Sequence, residues 1–249
     1  GALDARKVAR LVASTVDLTF VIDSSGRIQQ AVSLDPRLSR AASAALQAEG
    51  VGAGAARLIS GNHPIHEVLE RALARFKGCE HALLFPSGYM ANVGAIPALV
   101  GPGDVIYSDA LSHASLIDGC RLSKATIRVF PHADVAALAA MLEADRHAFR
   151  RALIVVEGIF SMDGDLFPLD QLVPLARRYD AWTYVDDAHG TGVLGATGAG
   201  SVEQCGVAGQ IDVIVGTLGK AMGTSGAYVA GSQVLVDYLL VQYWQIMAI

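Results

Sequence analysis

From residue 82 onward the chain alternates between short apolar runs and helical segments, and this alternation constrains the fold more than any other feature. The apolar runs are rich in β-branched and aromatic residues, as strands are. A chain that alternates strand and helix folds into a mostly parallel sheet covered by helices. The predicted strands are Ala82–Phe85, Val105–Tyr107, Thr126–Phe130, Ala152–Glu157, Trp182–Asp186, Ile211–Gly216 and Ala227–Ala230; the predicted helices are Tyr89–Leu99, Ala114–Ser123, Asp134–Ala144 and Pro168–Tyr179. We therefore predict a doubly wound α/β fold with right-handed crossovers.

The residues before position 82 are less regular. The predicted elements are a helix over Val8–Val16, a short strand over Phe20–Asp23 and an alanine-rich helix from Pro36 to Gly50. A loop of small residues then leads to an amphipathic helix that begins at Pro64 and stops at Gly78. We divide the chain into an N-terminal segment (1–50), a large domain (51–240) and a short tail (241–249).

Composition narrows the choice of partners. The net charge is −5, charged residues make up 17% of the chain, and no basic run occurs, which argues against nucleic acid or an anionic membrane. Cys79, Cys120 and Cys205 are too far apart in sequence for a disulfide framework or a zinc site, so we expect no metal and a reducing cytoplasm. The first residues lack the apolar core of a secretion signal, and residues 241–249 are too few and too polar to span a bilayer.

A lysine stands in a glycine-rich loop directly after one predicted strand. The apolar run that begins at Ile211 stops at Gly216, and Lys220 follows among further glycines. Glycine lets a ligand approach the backbone closely, and the apolar neighbours Leu218 and Met222 would desolvate the amine and favour its neutral, nucleophilic form. Such an amine can form a Schiff base. A solvated surface lysine is equally compatible with this stretch alone.

Two carboxylates and a histidine follow the predicted strand Trp182–Asp186. Asp186 and Asp187 end a run that is apolar enough to be buried, and His189 comes shortly after them. Burying such charge is unfavourable unless a cation meets it. We therefore interpret this strand end as functional rather than structural.

Three further strand ends carry polar groups. They are Ser87, Gly88 and Tyr89 after the first strand, His113 after the second, and Glu157 and Ser161 after the fourth. A turn that opens a helix attracts phosphate through its N–H groups and dipole, and ligands of α/β sheets bind beyond the carboxyl ends of strands. Each group also has an ordinary alternative: a structural turn, a helix cap, or a hydrated acidic loop that lacks the EF-hand spacing of a calcium site.

One cofactor would use all of these groups. Pyridoxal phosphate requires an amine, an anion at its pyridinium nitrogen, a flat ring over its face and a cup for its phosphate. Lys220, Asp186, His113 and the Ser87–Tyr89 turn with Thr217 match these needs in that order. A carboxylate at the ring nitrogen keeps it protonated, which makes the ring an electron sink. A nicotinamide dinucleotide fits less well, because no GxGxxG follows an early strand.

Five ordered motifs resemble the α-oxoamine synthases, which are fold-type I pyridoxal-phosphate enzymes. The motifs are RLISGNHP at 57–64, SHAS at 112–115, EGIFSMDGD at 157–165, VDDAHGTGVLG at 185–195 and GTLGKA at 216–221. The resemblance covers roughly residues 34–240 and implies the fold-type I large domain, with a mostly parallel seven-stranded sheet between helices. It further implies the condensation of an amino acid with an acyl-CoA, releasing CoA and CO2. The DDAHGTG string is most similar to members that use L-alanine and a pimeloyl thioester in biotin biosynthesis.

The resemblance also implies roles for individual residues around the cofactor ring. It makes Lys220 the amine that bonds the cofactor and then removes the α-proton of the amino acid. It places Asp186 at the ring nitrogen and His113 against the ring face. It sets His189 and Ser161 near the 3-oxygen of the ring, with His189 also positioned to polarise the acyl carbonyl.

Around the phosphate, the resemblance implies contacts from the backbone of Gly88, the ring edge of Tyr89 and the hydroxyl of Thr217. Glu157 would support the site from behind. Members of the family form the site between two subunits, so the resemblance implies a homodimer with the Arg57–Pro64 loop near the interface.

Two departures from the family pattern bear on activity. The segment before Asp35 lacks the asparagine that contacts the substrate carboxylate, and nothing after Leu240 matches the C-terminal small domain and its carboxylate-binding arginine. We therefore expect that small domain to be largely missing, with weak cofactor binding and slow turnover. The alternatives are another α-oxoamine synthase (glycine C-acetyltransferase, 5-aminolevulinate synthase or serine palmitoyltransferase type) or a catalytically silent dimer partner. An aminotransferase or a cysteine desulfurase agrees less well with the motifs.

Overall fold

The computed structural model describes residues 19–22, 28–32, 36–50 and 55–247, and the chain divides into two units at residue 63. In the first unit, β1 (Thr19–Ile22) pairs antiparallel with β2 (Ile28–Val32), and helix α1 (Pro36–Glu49) follows. A π-helical turn, Arg57–Gly61, ends this unit, and the Arg57 Nε and Nη2 atoms donate to Asn62 Oδ1 at 3.0 and 2.6 Å. The helix predicted over Val8–Val16 lies outside the described residues. The division into segments 1–50, 51–240 and 241–249 remains a prediction.

The second unit contains a seven-stranded sheet. Its strands are β3 (His81–Phe85), β4 (Val105–Asp109), β5 (Thr126–Phe130), β6 (Ala152–Glu157), β7 (Trp182–Asp186), β8 (Val213–Thr217) and β9 (Ala227–Gly231). Its α-helices are α2 (Pro64–Lys77), α3 (Gly88–Leu99), α4 (Ala114–Ser123), α5 (Val135–Asp145), α6 (Leu169–Arg178), α7 (Ser201–Gln204) and α8 (Gln233–Met247). The spatial order is β3-β9-β8-β7-β6-β4-β5, with β9 antiparallel to both neighbours and the other pairs parallel.

The predicted strands and helices of the sheet agree with the structure to within about two residues at their ends. Two ends differ by two residues: β4 ends at Asp109 rather than Tyr107, and β8 begins at Val213 rather than Ile211. Asp212 explains the late start, because its Oδ2 atom accepts hydrogen bonds from the N–H and the hydroxyl of Thr183, each at 2.8 Å. The side chain of Asp212 therefore replaces the strand pairing that its backbone would otherwise make.

Two apolar layers cover the sheet. Alternate side chains of each parallel strand enter opposite layers, as expected for strands buried on both faces. Tyr184 belongs to the layer that contains residues of α3, α4 and α8, whereas Val185 belongs to the layer that contains residues of α5 and α6. Asp186 has the same parity as Tyr184, so its side chain leaves the strand on the side of α3 and α4.

The polar groups predicted at strand ends lie on one edge of this sheet. Glu157 and Asp186 are directly paired across β6 and β7, and Asp186 pairs with Val215 of β8 two residues before Thr217. Acidic side chains, the Thr217 hydroxyl and the loop that carries Lys220 therefore lie together at the carboxyl ends of the strands. Within the described parts of the chain, no helix is long and apolar enough to cross a bilayer.

Candidate active site

Asp186 lies at the buried centre of the candidate site. Only 7% of this residue is exposed. Its Oδ2 atom accepts a hydrogen bond from Asn92 Nδ2 at 2.7 Å, and its Oδ1 atom accepts one from the Ala188 N–H at 3.0 Å. Burial raises the pKa of Asp186, whereas these two hydrogen bonds and the charge of Lys220 lower it. Among the described residues, no side chain forms an ion pair with this carboxylate.

The next carboxylate, Asp187, is neutralised within the protein. Its Oδ2 atom pairs with Lys77 Nζ at 2.7 Å, and both side chains are almost completely buried. Lys77 also donates to Thr191 Oγ1 at 2.9 Å and to the Ala199 carbonyl at 2.6 Å. The N–H and hydroxyl of Ser201 donate to Asp187 Oδ1 at 3.0 and 2.6 Å. The two acids are indistinguishable in the sequence. In the described part of the structure, only Asp187 is paired with a cation.

Glu157 and His113 flank the buried carboxylate. The His113 N–H donates to Glu157 Oε1 at 2.6 Å. Burial, reinforced by the negative charge of Asp186, raises the pKa of Glu157 to about 7. His113 is the N-cap of α4, and its Nδ1 atom accepts a hydrogen bond from the Ser115 N–H at 3.2 Å. A helix cap was the ordinary alternative for this histidine, and the structure shows that the residue does form one.

Lys220 lies in the loop that joins β8 to β9, and its side chain is exposed to solvent. The loop begins at Thr217, whose hydroxyl donates to the Gly226 carbonyl and accepts from the Gly219 N–H, each at 3.2 Å. The desolvation expected from apolar neighbours is not observed. Met222 faces solvent like Lys220, and only Leu218 turns into the core.

The loop that carries Lys220 touches the loop that carries His189. A β-carbon added to Gly192 would lie 2.8 Å from the Cβ of Ala221, and Gly192 has a φ of +82°, which favours glycine. Burial and the positive charge of Lys220 lower the pKa of His189. The amine, His189 and the buried carboxylate therefore share one electrostatic neighbourhood.

The Ser87–Tyr89 turn opens α3 at the same end of the sheet. Ser87 is the N-cap, and its hydroxyl accepts a hydrogen bond from the Met90 N–H at 3.2 Å. Helical geometry gives the N–H groups of Gly88 and Tyr89 no acceptor within the helix, so they can meet an anion. The Tyr89 hydroxyl donates to Asp118 Oδ2 at 3.0 Å, which raises the pKa of Tyr89.

Ser161 stands apart from the other predicted site residues. It is exposed in a turn, and none of the hydrogen bonds found in the described residues joins its side chain to the site. The same turn is held by His132, whose Nδ1 and Nε2 atoms lie 3.0 and 2.7 Å from oxygens of Asp109 and Asp165. Atoms of His132, Asp163 and Asp165 that could ligate a metal ion lie within 4.8 Å of one another. Both ring nitrogens of His132 are already hydrogen-bonded to carboxylates, however.

Sequence reasoning assigned no role to three buried polar residues that support the site: Lys77, Asn92 and Ser115. Asn92 carried a signal, since it is an amide in a helix made almost entirely of apolar residues and glycine. Lys77 carried none. A lysine in the last turn of a helix normally complements the helix dipole, and the partner of Lys77 lies 110 residues away.

The described residues fit pyridoxal phosphate. A buried carboxylate that lacks a cationic partner suits a pyridinium nitrogen, an exposed amine lies near it, and the start of α3 suits a phosphate. The roles of Ser87, Gly88, Tyr89, His113, Glu157, Ser161, Asp186, His189, Thr217 and Lys220 in binding or catalysis remain predictions.

Comparisons with known proteins agree with this geometry. Residues 24–242 match the family model described as aminotransferase class I and II. The chain is 55% identical over 204 residues to an 8-amino-7-oxononanoate synthase of Geobacter metallireducens, covering 82% of this chain and 52% of that protein. It is 49% identical over 226 residues to the protein of the same name from Symbiobacterium thermophilum, covering 91% and 58%. The chain thus spans about half the length of the curated relatives it matches.

Solved structures give the same result. A serine palmitoyltransferase from S. paucimobilis, with a bound PLP-myriocin aldimine, superposes with a TM-score of 0.79 at 32% identity, covering 93% of this chain and 63% of that one. An 8-amino-7-oxononanoate synthase from Francisella tularensis gives a TM-score of 0.72 at 29% identity, covering 85% and 58%. These matches confirm the fold-type I prediction. The chain belongs to the aminotransferase class I and II family and, within it, to the α-oxoamine synthases, a group of pyridoxal-phosphate-dependent enzymes.

Proposed function

We propose that this chain supplies the cofactor-binding part of a pyridoxal-phosphate-dependent C-acyltransferase. The reaction is the decarboxylative condensation of a small amino acid with an acyl-CoA, releasing CoA and CO2. One observation carries the proposal: Asp187 has Lys77 as an internal cation, whereas Asp186, which is also buried, contacts only neutral hydrogen-bond donors among the described residues. A buried carboxylate of this kind is costly unless a cationic ligand completes it.

The residues of the chain divide the chemical work. When bound, pyridoxal phosphate supplies an electron sink for negative charge at the α-carbon of an amino acid. Asp186 would accept a hydrogen bond from the protonated ring nitrogen, and its negative charge would keep that nitrogen protonated. Lys220 would hold the cofactor through its amine and would then accept the α-proton. His113, fixed by its cap at the start of α4, would cover the ring face.

The remaining predicted residues bind and orient. The N–H groups at Gly88 and Tyr89 would bind the phosphate, and Ser87 holds the start of α3 in shape. The Thr217 hydroxyl would join them by turning its hydrogen from the Gly226 carbonyl to the phosphate. His189 hydrogen-bonds beside the ring oxygen, and its lowered pKa keeps it neutral at neutral pH, so that it can accept or donate a proton there. Ser161 is exposed in its turn in this structure, and its side chain would have to move toward the site to join His189 there.

L-Alanine and a pimeloyl thioester are the favoured substrates, which places the reaction in biotin biosynthesis. The support comes from relatives that are named 8-amino-7-oxononanoate synthase and are 48–57% identical to this chain over the matched residues. A second candidate is a serine palmitoyltransferase type of condensation, because solved structures with that name superpose with TM-scores up to 0.79. Sequence identity favours the first candidate, since the serine palmitoyltransferase structures from S. paucimobilis and Sphingomonas wittichii are 32% and 34% identical to this chain.

The proposal extends to assembly and location. A homodimer would let a partner subunit complete the space through which a bulky thioester enters. A reducing cytoplasm suits the three cysteines, which are all unpaired.

Absorption spectroscopy tests the proposed function. The purified chain is titrated with pyridoxal phosphate, and L-alanine, glycine and L-serine are then added to separate samples. We expect saturable binding with a visible absorption band, at least about 10-fold weaker binding in Asp186→Ala, and the largest spectral response to L-alanine. Asp170→Ala, which removes an exposed acid at the start of α6, is the matched control and keeps the affinity of the wild type. A wild-type chain that does not bind the cofactor contradicts the proposal, and a response to L-serine alone favours the second candidate.

A further inference from the structure

A continuous line of hydrogen bonds, buried at its Asp186 end and partly exposed at its His113 end, joins Asp186 to His113. Asn92, on α3, lies in the middle of this line and is 1% exposed. Its Nδ2 atom donates both to Asp186 Oδ2 at 2.7 Å and to Ser115 Oγ at 2.9 Å. The Ser115 hydroxyl in turn lies 2.8 Å from His113 Nδ1. Two residues that would touch opposite parts of one cofactor ring are thus connected through Asn92 and Ser115.

The direction of each hydrogen bond follows from the chemistry of the groups. The Tyr184 hydroxyl donates to Asn92 Oδ1 at 2.8 Å, and an ionised carboxylate only accepts, so the Asn92 amide has one permitted orientation. The Ser115 N–H can only donate, so His113 Nδ1 must be the acceptor. The Ser115 hydroxyl accepts from Asn92 and is therefore free to donate its own hydrogen to the same Nδ1 atom. The ring of His113 is left with its proton on Nε2.

The packing of α3 against α4 is built around this line. A β-carbon added to Gly119 would lie 2.8 Å from the main-chain carbonyl oxygen of Asn92, so only glycine permits the two helices to approach this closely. Gly119 lies one helical turn after Ser115 and therefore shares its face of α4. Close contact at the glycine brings the serine hydroxyl within reach of the asparagine amide.

We propose that Asn92 and Ser115 are positioning residues that orient the Asp186 carboxylate and the His113 ring relative to each other. The inference rests on the proposed function, because it assigns these two residues to the cofactor ring. Asn92 fixes the rotation of the carboxylate toward the ring nitrogen. Ser115 fixes the rotation and the tautomer of the imidazole over the ring face. A shift in the position of Asn92 would displace both groups together.

Nitrogen NMR tests the connection in the chain without any cofactor. Histidine is labelled with 15N, and the His113 signals are assigned by comparison with His113→Gln. We expect an unprotonated, hydrogen-bonded Nδ1 in the wild type and a displaced Nδ1 signal in Ser115→Ala. We also expect Asn92→Ala to displace the Nδ1 signal, although Asn92 does not contact His113. In a chain that already carries Ser115→Ala, adding Asn92→Ala should have no further effect on that signal. A His113 signal that is unchanged in both single variants overturns the proposal.

Affinity for pyridoxal phosphate tests the consequence. Removing a hydrogen bond to a charged group should weaken binding by about 10-fold in Asn92→Ala, and removing a neutral one by about 5-fold in Ser115→Ala. Ser115→Thr retains the hydroxyl and should stay within about 2-fold of the wild type. The matched control is Ser123→Ala, which removes another buried serine of α4 whose hydroxyl bonds only within its own turn. Equal affinities for the wild type, Asn92→Ala and Ser115→Ala contradict a positioning role.

The two measurements separate failure of this proposal from failure of the proposed function. A wild-type chain that binds no pyridoxal phosphate defeats the proposed function, while the His113 signals still decide whether Asn92 and Ser115 set the imidazole. A chain that binds the cofactor normally in every variant retains the proposed function and loses the positioning role. If Asn92→Ala does not fold, the Ser115→Ala and Ser115→Thr pair decides the outcome.

Discussion

The ion pair between Lys77 and Asp187 provides a quantitative prediction about stability. Both side chains are essentially inaccessible to water, at 1% and 0% exposure, and their nearest atoms are 2.7 Å apart. Lys77→Met keeps the length and apolar stem of the side chain but leaves Asp187 buried without a counter-charge. Removing one partner of a buried pair costs about 3–5 kcal/mol. For a chain of this size, that loss lowers the melting temperature by about 6–20 °C.

Urea unfolding followed by circular dichroism measures this loss. The matched control is Lys124→Met, which replaces an exposed lysine at the end of α4 and should change the free energy of unfolding by less than about 0.5 kcal/mol. Lys77→Met combined with Asp187→Asn should cost less than the sum of the two single changes, because each single variant leaves the other group unpaired. A loss below about 1 kcal/mol in Lys77→Met would refute the reasoning, since it would mean that Asp187 does not depend on Lys77.

The remaining predictions concern five positions. Asp186→Asn should stabilise the cofactor-free chain at pH 8 while weakening cofactor binding, because burial raises the pKa of this carboxyl and makes its ionised form unfavourable in the folded state. Gly192→Ala should cost about 2–3 kcal/mol, and Gly164→Ala about 1 kcal/mol, since both glycines have positive φ but only Gly192 would meet a neighbouring side chain. His132→Gln should destabilise the chain more at pH 6 than at pH 9: burial alone would lower the pKa of His132, its two carboxylate partners raise it, and that stabilisation is lost as the pH rises through the raised value. Glu157→Gln should stabilise the cofactor-free chain above pH 7 and have little effect below about pH 4.5, because the pKa of Glu157 is raised to about 7 and its ionised form is disfavoured in the folded state.

Equilibrium unfolding at several pH values checks the stability predictions at all five positions. Equal losses for the two glycine variants would mean that the approach of Gly192 to Ala221 is not tight. A pH-independent effect of His132→Gln would show that the histidine is not charged between its carboxylates. A destabilising effect of Asp186→Asn or Glu157→Gln at pH 8 would contradict the view that these acids are uncompensated in the absence of a ligand.

The strand and helix pattern was predictable because its signals are local. β-Branched runs, the Ser87–Tyr89 turn that opens α3 and turns at glycine each depend on neighbouring residues, so the order of the strands from β3 onward and the strand ends followed from the sequence. The strand β2 and the short helix α7 were not predicted. Once the sheet was predicted to be parallel, the acids at Glu157 and Asp186 had to lie on one edge. The predicted start of β8 was wrong because the side chain of Asp212 accepts a hydrogen bond from Thr183, and no local sequence pattern indicates this contact.

The supporting contacts of the site could not be predicted, because they depend on how distant segments dock. Asn92 meets Asp186 only after α3 packs on β7, and Lys77 meets Asp187 across 110 residues of sequence. The prediction that apolar neighbours desolvate the Lys220 amine was also wrong. Apolar neighbours in sequence do not desolvate an amine when the loop turns them toward water.

Borohydride trapping tests the central claim most directly. The chain is incubated with pyridoxal phosphate, reduced with sodium borohydride, digested and analysed by mass spectrometry. The sequence contains only the lysines Lys7, Lys77, Lys124 and Lys220, so the modified position is unambiguous. The account predicts that the added cofactor mass lies on Lys220, disappears in Lys220→Ala and is reduced in Asp186→Asn. Cofactor spread evenly over the other lysines, or absent from the protein altogether, would contradict it.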